Sequence, residues 1–162
     1  MLSDGLQLLL DRTQVSDTLC RYGSSVDSAD WAALREILTD DARVRYGNAD
    51  WIDGADNLVK VFENSMADSV WSHHLIVVYH VDFDGDEALA LSYQTSHLMV
   101  SSTLGVARVT IGRYHDRLRR TTDGWKISKK VMQILWSGES RDTTGQLEEM
   151  GGRGPSIEEF EI

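Results

Sequence analysis

The chain has 162 residues, a single cysteine and a formal net charge of −10. That length is enough to bury a sizeable core as one domain, while the acidity disfavours a nucleic acid partner, whose phosphates need a concentrated basic surface. Cys20 alone excludes an internal disulfide, no secretory leader is read at the N-terminus, and the longest apolar runs are too short to span a bilayer. The expected setting is therefore cytoplasmic, with no membrane partner.

Taken in order, Leu6 to Ser25 reads as helix. Leu6, Leu9, Leu10, Val15, Leu19, Tyr22 and Val26 recur at spacings of three and four, with Asp11–Thr13 as a candidate interruption. Ser28 or Asp30 caps a second helix over Trp31–Asp40, with an apolar face of Trp31, Leu34, Ile37 and Leu38. Residues 42–47 alternate like a short strand, and Asp53 to Asp68 reads as a third helix around Leu58, Val61 and Phe62.

From Val70 the period changes to two. Segments Trp71–Asp82, Ala88–Ser101, Val106–Arg119 and Trp125–Ser137 read as strands joined by hairpin-like turns, two of them built on Asp-Gly. Helices followed by a meander predict an α+β domain over residues 1–138. Its helices would lie on the concave side of a strongly bent mixed or antiparallel sheet, as a cone-shaped barrel. Residues 139–162, with the only proline, Pro155, form a tail expected to be a frayed end, a flap over the pocket or an arm onto another subunit.

Candidate chemistry lies in the histidines. His73 and His74 are adjacent in a strand and point to opposite faces, so no metal site is expected on the pair. His97 shares an alternating face with Leu89, Leu91, Tyr93, Thr95 and Met99, where an imidazole needs a hydrogen-bond partner. Asp27, in the stretch YGSSVDSADW at a helix end, is the candidate partner. Tyr22, Tyr46 and Tyr114 offer hydroxyl donors on aromatic walls, Trp51, Trp71 and Trp136 are candidate pocket lining, and Trp125 reads as a structural plug. Nucleophile motifs and phosphate-loop spacing are absent, which leaves cofactor-free proton transfer.

The order of VDSADW, DDARVRYG, SHHLIVVYHVDFDGDEA and GRYHDRLRRTTDGWKIS, followed by Trp136, resembles the SnoaL-like branch of the nuclear transport factor two-like superfamily. Within that branch the chain is most similar to scytalone dehydratase-type lyases. The resemblance implies that Asp27 orients a basic His97, that His74 is a second active-site histidine and that Tyr46 polarises a substrate carbonyl. Tyr22 stands where bile-acid dehydratases of the superfamily carry a tyrosine. Val26, Gly112 and Tyr114 depart from the scytalone dehydratase pattern, which implies a different substrate, with a pocket wider near Gly112 and closed by Tyr114.

The implied activity is a dehydratase-like lyase reaction on a small hydrophobic carbonyl or hydroxy compound, without cofactor. A polyketide cyclase, isomerase or dehydrohalogenase would use the same pocket. A non-catalytic subunit resembling the β subunits of ring-hydroxylating dioxygenases would share the fold. A homo-oligomer, dimer or trimer, is expected.

Overall fold

The computed structural model describes residues 4–141. Three helices, α1 (Asp4–Ser28), α2 (Trp31–Glu36) and α3 (Ala55–Ser65), accompany six strands. These are β1 (Leu38–Tyr46), β2 (Ile52–Asp53), β3 (Ser69–Asp84), β4 (Glu87–Val100), β5 (Val106–Thr121) and β6 (Gly124–Arg141). They form one open, mixed sheet in the order β2-β1-β6-β5-β4-β3, with β1 and β6 parallel and every other pair antiparallel. The α+β architecture is the expected one, with α1 packed against the sheet. Among the described residues no helix is long and apolar enough to cross a membrane.

Alternation decides which face α1 covers. The inner-face buried residues are Ala88, Ala90, Ser92 and Gln94 on β4 and Gly112, Tyr114, Asp116 and Leu118 on β5, while Met99 and Ala107 are buried on the opposite face. The register carries this inner face across the sheet, through Val78, Ser92, Tyr114 and Met132 in one row and His74, Ser96 and Thr110 in another. Against it α1 buries Val15, Leu19, Tyr22 and Val26, each at most 1% exposed. The opposite face keeps Leu75, Val77, Tyr79 and Leu89 exposed.

Three sequence expectations change. The helix is not interrupted at Asp11–Thr13, because Asp11 points inward to a cluster of donors. Arg120 gives it two hydrogen bonds at 2.6 and 2.7 Å, and the Trp125 indole donates a third at 3.0 Å. The second helix stops at Glu36, since the Ile37 carbonyl accepts the Ile127 N–H and Leu38 pairs with Ile127 in the sheet. β6 runs on through Arg141, so the proposed tail begins later than residue 139, and the flap or arm expected there lies, from residue 142 onward, outside the described residues. The short α2 is capped by Asp30, whose Oδ1 accepts the Ala33 N–H at 2.9 Å.

Beneath the inner face sits an ion pair sealed from water. Lys130 Nζ lies 2.9 Å from Asp116 Oδ1, with side chains 1% and 0% exposed. The ammonium also lies 4.4 Å from the ring centre of Tyr22 and 3.9 Å from that of Tyr114. Burial pushes the Asp116 carboxyl up and the Lys130 ammonium down, and each charge partly offsets the other's shift. Removing one partner strands the other charge, so Lys130→Met should cost about 3 kcal/mol in urea unfolding. Adding Asp116→Leu to it should recover most of that loss.

Asp11 gives a second expectation. The Arg120 hydrogen bonds, helped by Trp125 and Gln7, outweigh desolvation and hold its carboxyl at about 2. A folded-state value below that of the unfolded chain means the contribution is full above about pH 4 and lost as pH falls through the folded value. Asp11→Asn should therefore lower stability by about 2 kcal/mol at neutral pH. The gap from the parent should shrink between about pH 4 and pH 2, as measured by thermal unfolding.

Candidate active site

A cavity of about 280 Å³ opens between the inner sheet face, the C-terminal turns of α1 and helix α3. From α1 come Tyr22 and Val26, from α3 come Val61, Phe62 and Ser65, and just beyond it comes Met66. The sheet supplies Ser72, His74, Ser96, Leu98, Thr110, Tyr114, Met132 and Ile134. Tyr46, at the end of β1, completes the wall. A larger polar hollow of about 530 Å³, lined by residues such as Gln14, Asp17, Arg21 and Lys126, lies elsewhere on the surface. It carries charges of both signs and contains none of the expected site residues.

One polar residue of the cavity wall, His74, is paired with Asp27 behind it. Asp27 lies in the last turn of α1, where the carbonyl end of the helix dipole disfavours a negative charge. Three donors from β3 compensate. His74 Nδ1 lies 2.6 Å from Oδ1, the His74 backbone N–H donates to Oδ2 at 2.7 Å, and the Ser72 hydroxyl donates to Oδ1 at 2.9 Å. Desolvation pushes the Asp27 carboxyl up, but the hydrogen bonds and charge of His74, with Ser72, prevail and hold it below the ordinary aspartate value. An ionised Asp27 accepts, so Nδ1 carries the hydrogen, and in the neutral imidazole Nε2 presents a lone pair. No described residue engages Nε2, and the imidazole lines the cavity.

Gly23 makes this approach possible. A Cβ there would stand 3.0 Å from His74 Cβ and 3.1 Å from Ile76 Cδ1. One helical turn before Asp27, the missing side chain lets α1 sit directly on β3. The sequence signal of this contact is a glycine inside a helical pattern.

The expected Asp27–His97 pairing is not formed. His97 borders the cavity, but its ring lies beside that of His73, its cross-strand partner, with centroids 5.8 Å apart. The apolar face assigned to His97 is the outer face of β4, exposed at Leu89 (53%), partly covered at Leu91, Tyr93 and Thr95, and buried at Met99. Both faces of this strand carry apolar residues, so alternation alone did not say which one faces inward.

The tyrosines converge as expected. The hydroxyls of Tyr22 and Tyr46 are hydrogen-bonded to each other, and Tyr22 packs edge-on against Tyr114 at 6.0 Å. Burial, first among several causes, raises all three phenols above their ordinary value, so they remain neutral donors. No described residue is hydrogen-bonded to the Tyr114 hydroxyl. Val26 lines the wall, whereas Gly112 opens no space: a Cβ there would meet Gln133 O at 2.8 Å and Met132 Cε at 3.0 Å, so Met132 fills the gap.

The expected tryptophan lining is also corrected. Trp51 lies under Arg43, Arg45 and Lys129, Trp136 is 51% exposed and packs on Gly138, and Trp71 does not line the cavity. Trp125 is the plug the sequence suggested, 3% exposed and edge-on to Phe83 at 5.4 Å. Among the described residues no three His, Cys, Asp or Glu side chains gather as a metal site.

The fold has many solved counterparts. A hexachlorocyclohexane dehydrochlorinase, LinA-type3 from Novosphingobium barchaimii, superposes with a TM-score of 0.76 at 16% identity, covering 85% of this chain and 94% of that one. A candidate scytalone dehydratase from Novosphingobium aromaticivorans gives 0.75 at 16% identity, covering 94% and 97%. An NTF2-like protein with a cystatin-like fold from the same species gives 0.66 at 26% identity, covering 90% and 91%. No curated protein matches the chain in sequence. The SnoaL-like domain matches residues 7–131, most of the chain and every residue of the Asp27–His74 pair. The chain belongs to the SnoaL-like domain family.

Proposed function

We propose that this chain is a cofactor-independent, dehydratase-like lyase acting on a small hydrophobic carbonyl or hydroxy compound. The observation that carries the reading is the Asp27–His74 pair, with Nε2 free at the wall of a largely apolar cavity. His74 Nε2 takes a proton from the carbon next to a carbonyl, and Asp27 stabilises the imidazolium that forms. The electron pair of the broken C–H bond moves to the carbonyl oxygen as an enolate. Tyr114, or Tyr46 within its pair with Tyr22, donates to that oxygen. Collapse of the enolate forms the carbon–carbon double bond and breaks the bond to a β-hydroxyl, which leaves as water with a proton returned by the imidazolium.

His97, expected to be the base, takes a lesser role here and borders the substrate without an orienting carboxylate. The solved relatives named as a dehydrochlorinase and a candidate dehydratase support an elimination, though at their identity they speak for the fold. An isomerase or cyclase would need the same base, and product mass separates these reactions, since only elimination loses water. The exposed apolar residues of the outer sheet face, such as Leu75, Val77 and Tyr79, support association with further copies of the chain. A free cysteine, Cys20, suits a reducing, cytoplasmic setting.

Two outcomes are expected with a panel of β-hydroxy carbonyl compounds. Asp27→Asn and His74→Ala should each lower kcat by about 10²-fold or more, while His97→Ala should stay within about tenfold of the parent. Equal losses at His74 and His97, or none at Asp27, would reject this assignment of the base. Gly23→Ala should push α1 off β3 and reduce kcat by about tenfold or more, with a thermal midpoint only a few degrees lower.

A further inference from the structure

The cavity wall carries one fully charged side chain, Arg108, and no acidic one. In a chain with a net charge of −10, that sign is notable, because the surrounding field would favour cations. Arg108 stands on β5 two residues before Thr110, on the inner face, with Leu98 as its β4 partner. Its β6 partner, Glu139, accepts from Arg141 Nη2 at 2.6 Å. No described residue forms an ion pair or hydrogen bond with Arg108. Nearly every other arginine on the sheet is occupied: Arg43 by Asp53, Arg113 by Gln133, Arg117 by Glu87, Arg119 by Asp41 and Arg120 by Asp11 and Asp86.

We infer that Arg108 is the specificity-determining anchor for a carboxylate on the substrate, so that the site takes a small aromatic or alicyclic acid. The inference rests on the reading of this cavity as a substrate site. A guanidinium presents parallel N–H donors that match the two oxygens of a carboxylate, and an unpaired one at the mouth of an apolar cavity is left without that match. The spacing also sets the size of the molecule. His74 is on β3 and Arg108 on β5, two strand spacings or about 10 Å apart across the sheet. An acid held at Arg108 thus extends a body of one or two rings towards Nε2 over Leu98 and Ser96 of β4. The anion sits at the mouth and stays partly hydrated, and the apolar body enters, so no unpaired charge is buried.

The test needs no turnover. Binding of matched pairs, cinnamate with cinnamyl alcohol and 2-naphthoate with 2-naphthylmethanol, is measured by titration calorimetry at low salt. The proteins are the parent, Arg108→Gln, Arg108→Lys, Arg113→Gln and Asp27→Asn. The parent should bind each acid about tenfold more tightly than its alcohol. Arg108→Gln should bring the two within about twofold, and Arg108→Lys should fall between them. Arg113→Gln makes the same charge change on the outer face and should keep the preference, as should Asp27→Asn, which separates anchoring from chemistry. Acids binding no better than alcohols, a preference that survives Arg108→Gln, one lost equally in Arg113→Gln, or no binding of any acid would each overturn the inference. None of these results bears on whether Asp27 and His74 perform the proton transfer.

Discussion

The three hydrogen bonds that β3 donates to Asp27 join the first helix to the far edge of the sheet. An aspartate at a helix C-terminus is unfavourable in isolation, since the last carbonyls already concentrate negative charge there. Here its two oxygens receive a hydroxyl, a backbone N–H and an imidazole from residues two apart on one strand. The backbone bond matters as much as the ring bond, because it places His74 Cα, and through it the ring, at a set height above the sheet. The absent side chain of Gly23 and the apolar contacts of Tyr22 and Val26 hold the helix close enough for this to happen. The orientation of the His74 ring and the placement of Tyr22 and Val26 at the cavity follow from that docking.

Much of the architecture was legible in the residues. Period-two segments separated by Asp-Gly turns marked the four long strands within a few residues, because hairpin turns demand those side chains. The parallel pairing of β1 with β6 was not legible, since it joins segments more than eighty residues apart through an irregular register between Leu38 and Arg43. At the candidate site, His74 and the three tyrosines expected from the sequence line one cavity, and Asp27 pairs with His74 rather than with His97. The cause is physical. A long strand with apolar side chains on both faces, such as β4, states its period without stating its inward side. The same ambiguity applies to Trp71 on β3 and Trp136 on β6, while Trp51 lies outside any strand, and none of the three lines the cavity. Arg108 was missed because an arginine in an alternating strand looks like any solvated position until its neighbours are known to be engaged elsewhere.

The interior is unusually polar beneath the cavity. Asp116, Lys130, Ser92 and Gln94 are all buried under α1, alongside Tyr22 and Tyr114. Such a core gains little over an apolar one in stability. What it supplies is an oriented environment: the ammonium lies against two phenol rings whose neutral hydroxyls belong to the tyrosine cluster. Packing around it rests on edge-on aromatic contacts, with Phe62 of α3 touching both Tyr22 and Tyr46 near 6 Å.

Helix α3 and the Met66 that follows it give the cavity four of its lining side chains but contribute nothing to the Asp27–His74 pair. The helix joins the rest of the molecule mainly through β1, β2 and α2, on the side of the sheet away from β3. Wall and reactive pair are therefore separate parts of the fold. Substitutions at Val61, Phe62, Ser65 or Met66 reshape the volume offered to a guest while the hydrogen bonds around Asp27 stay as they are. The arrangement is modular: the helix that shapes the space and the strand that fixes the orientation of the imidazole are held by different contacts.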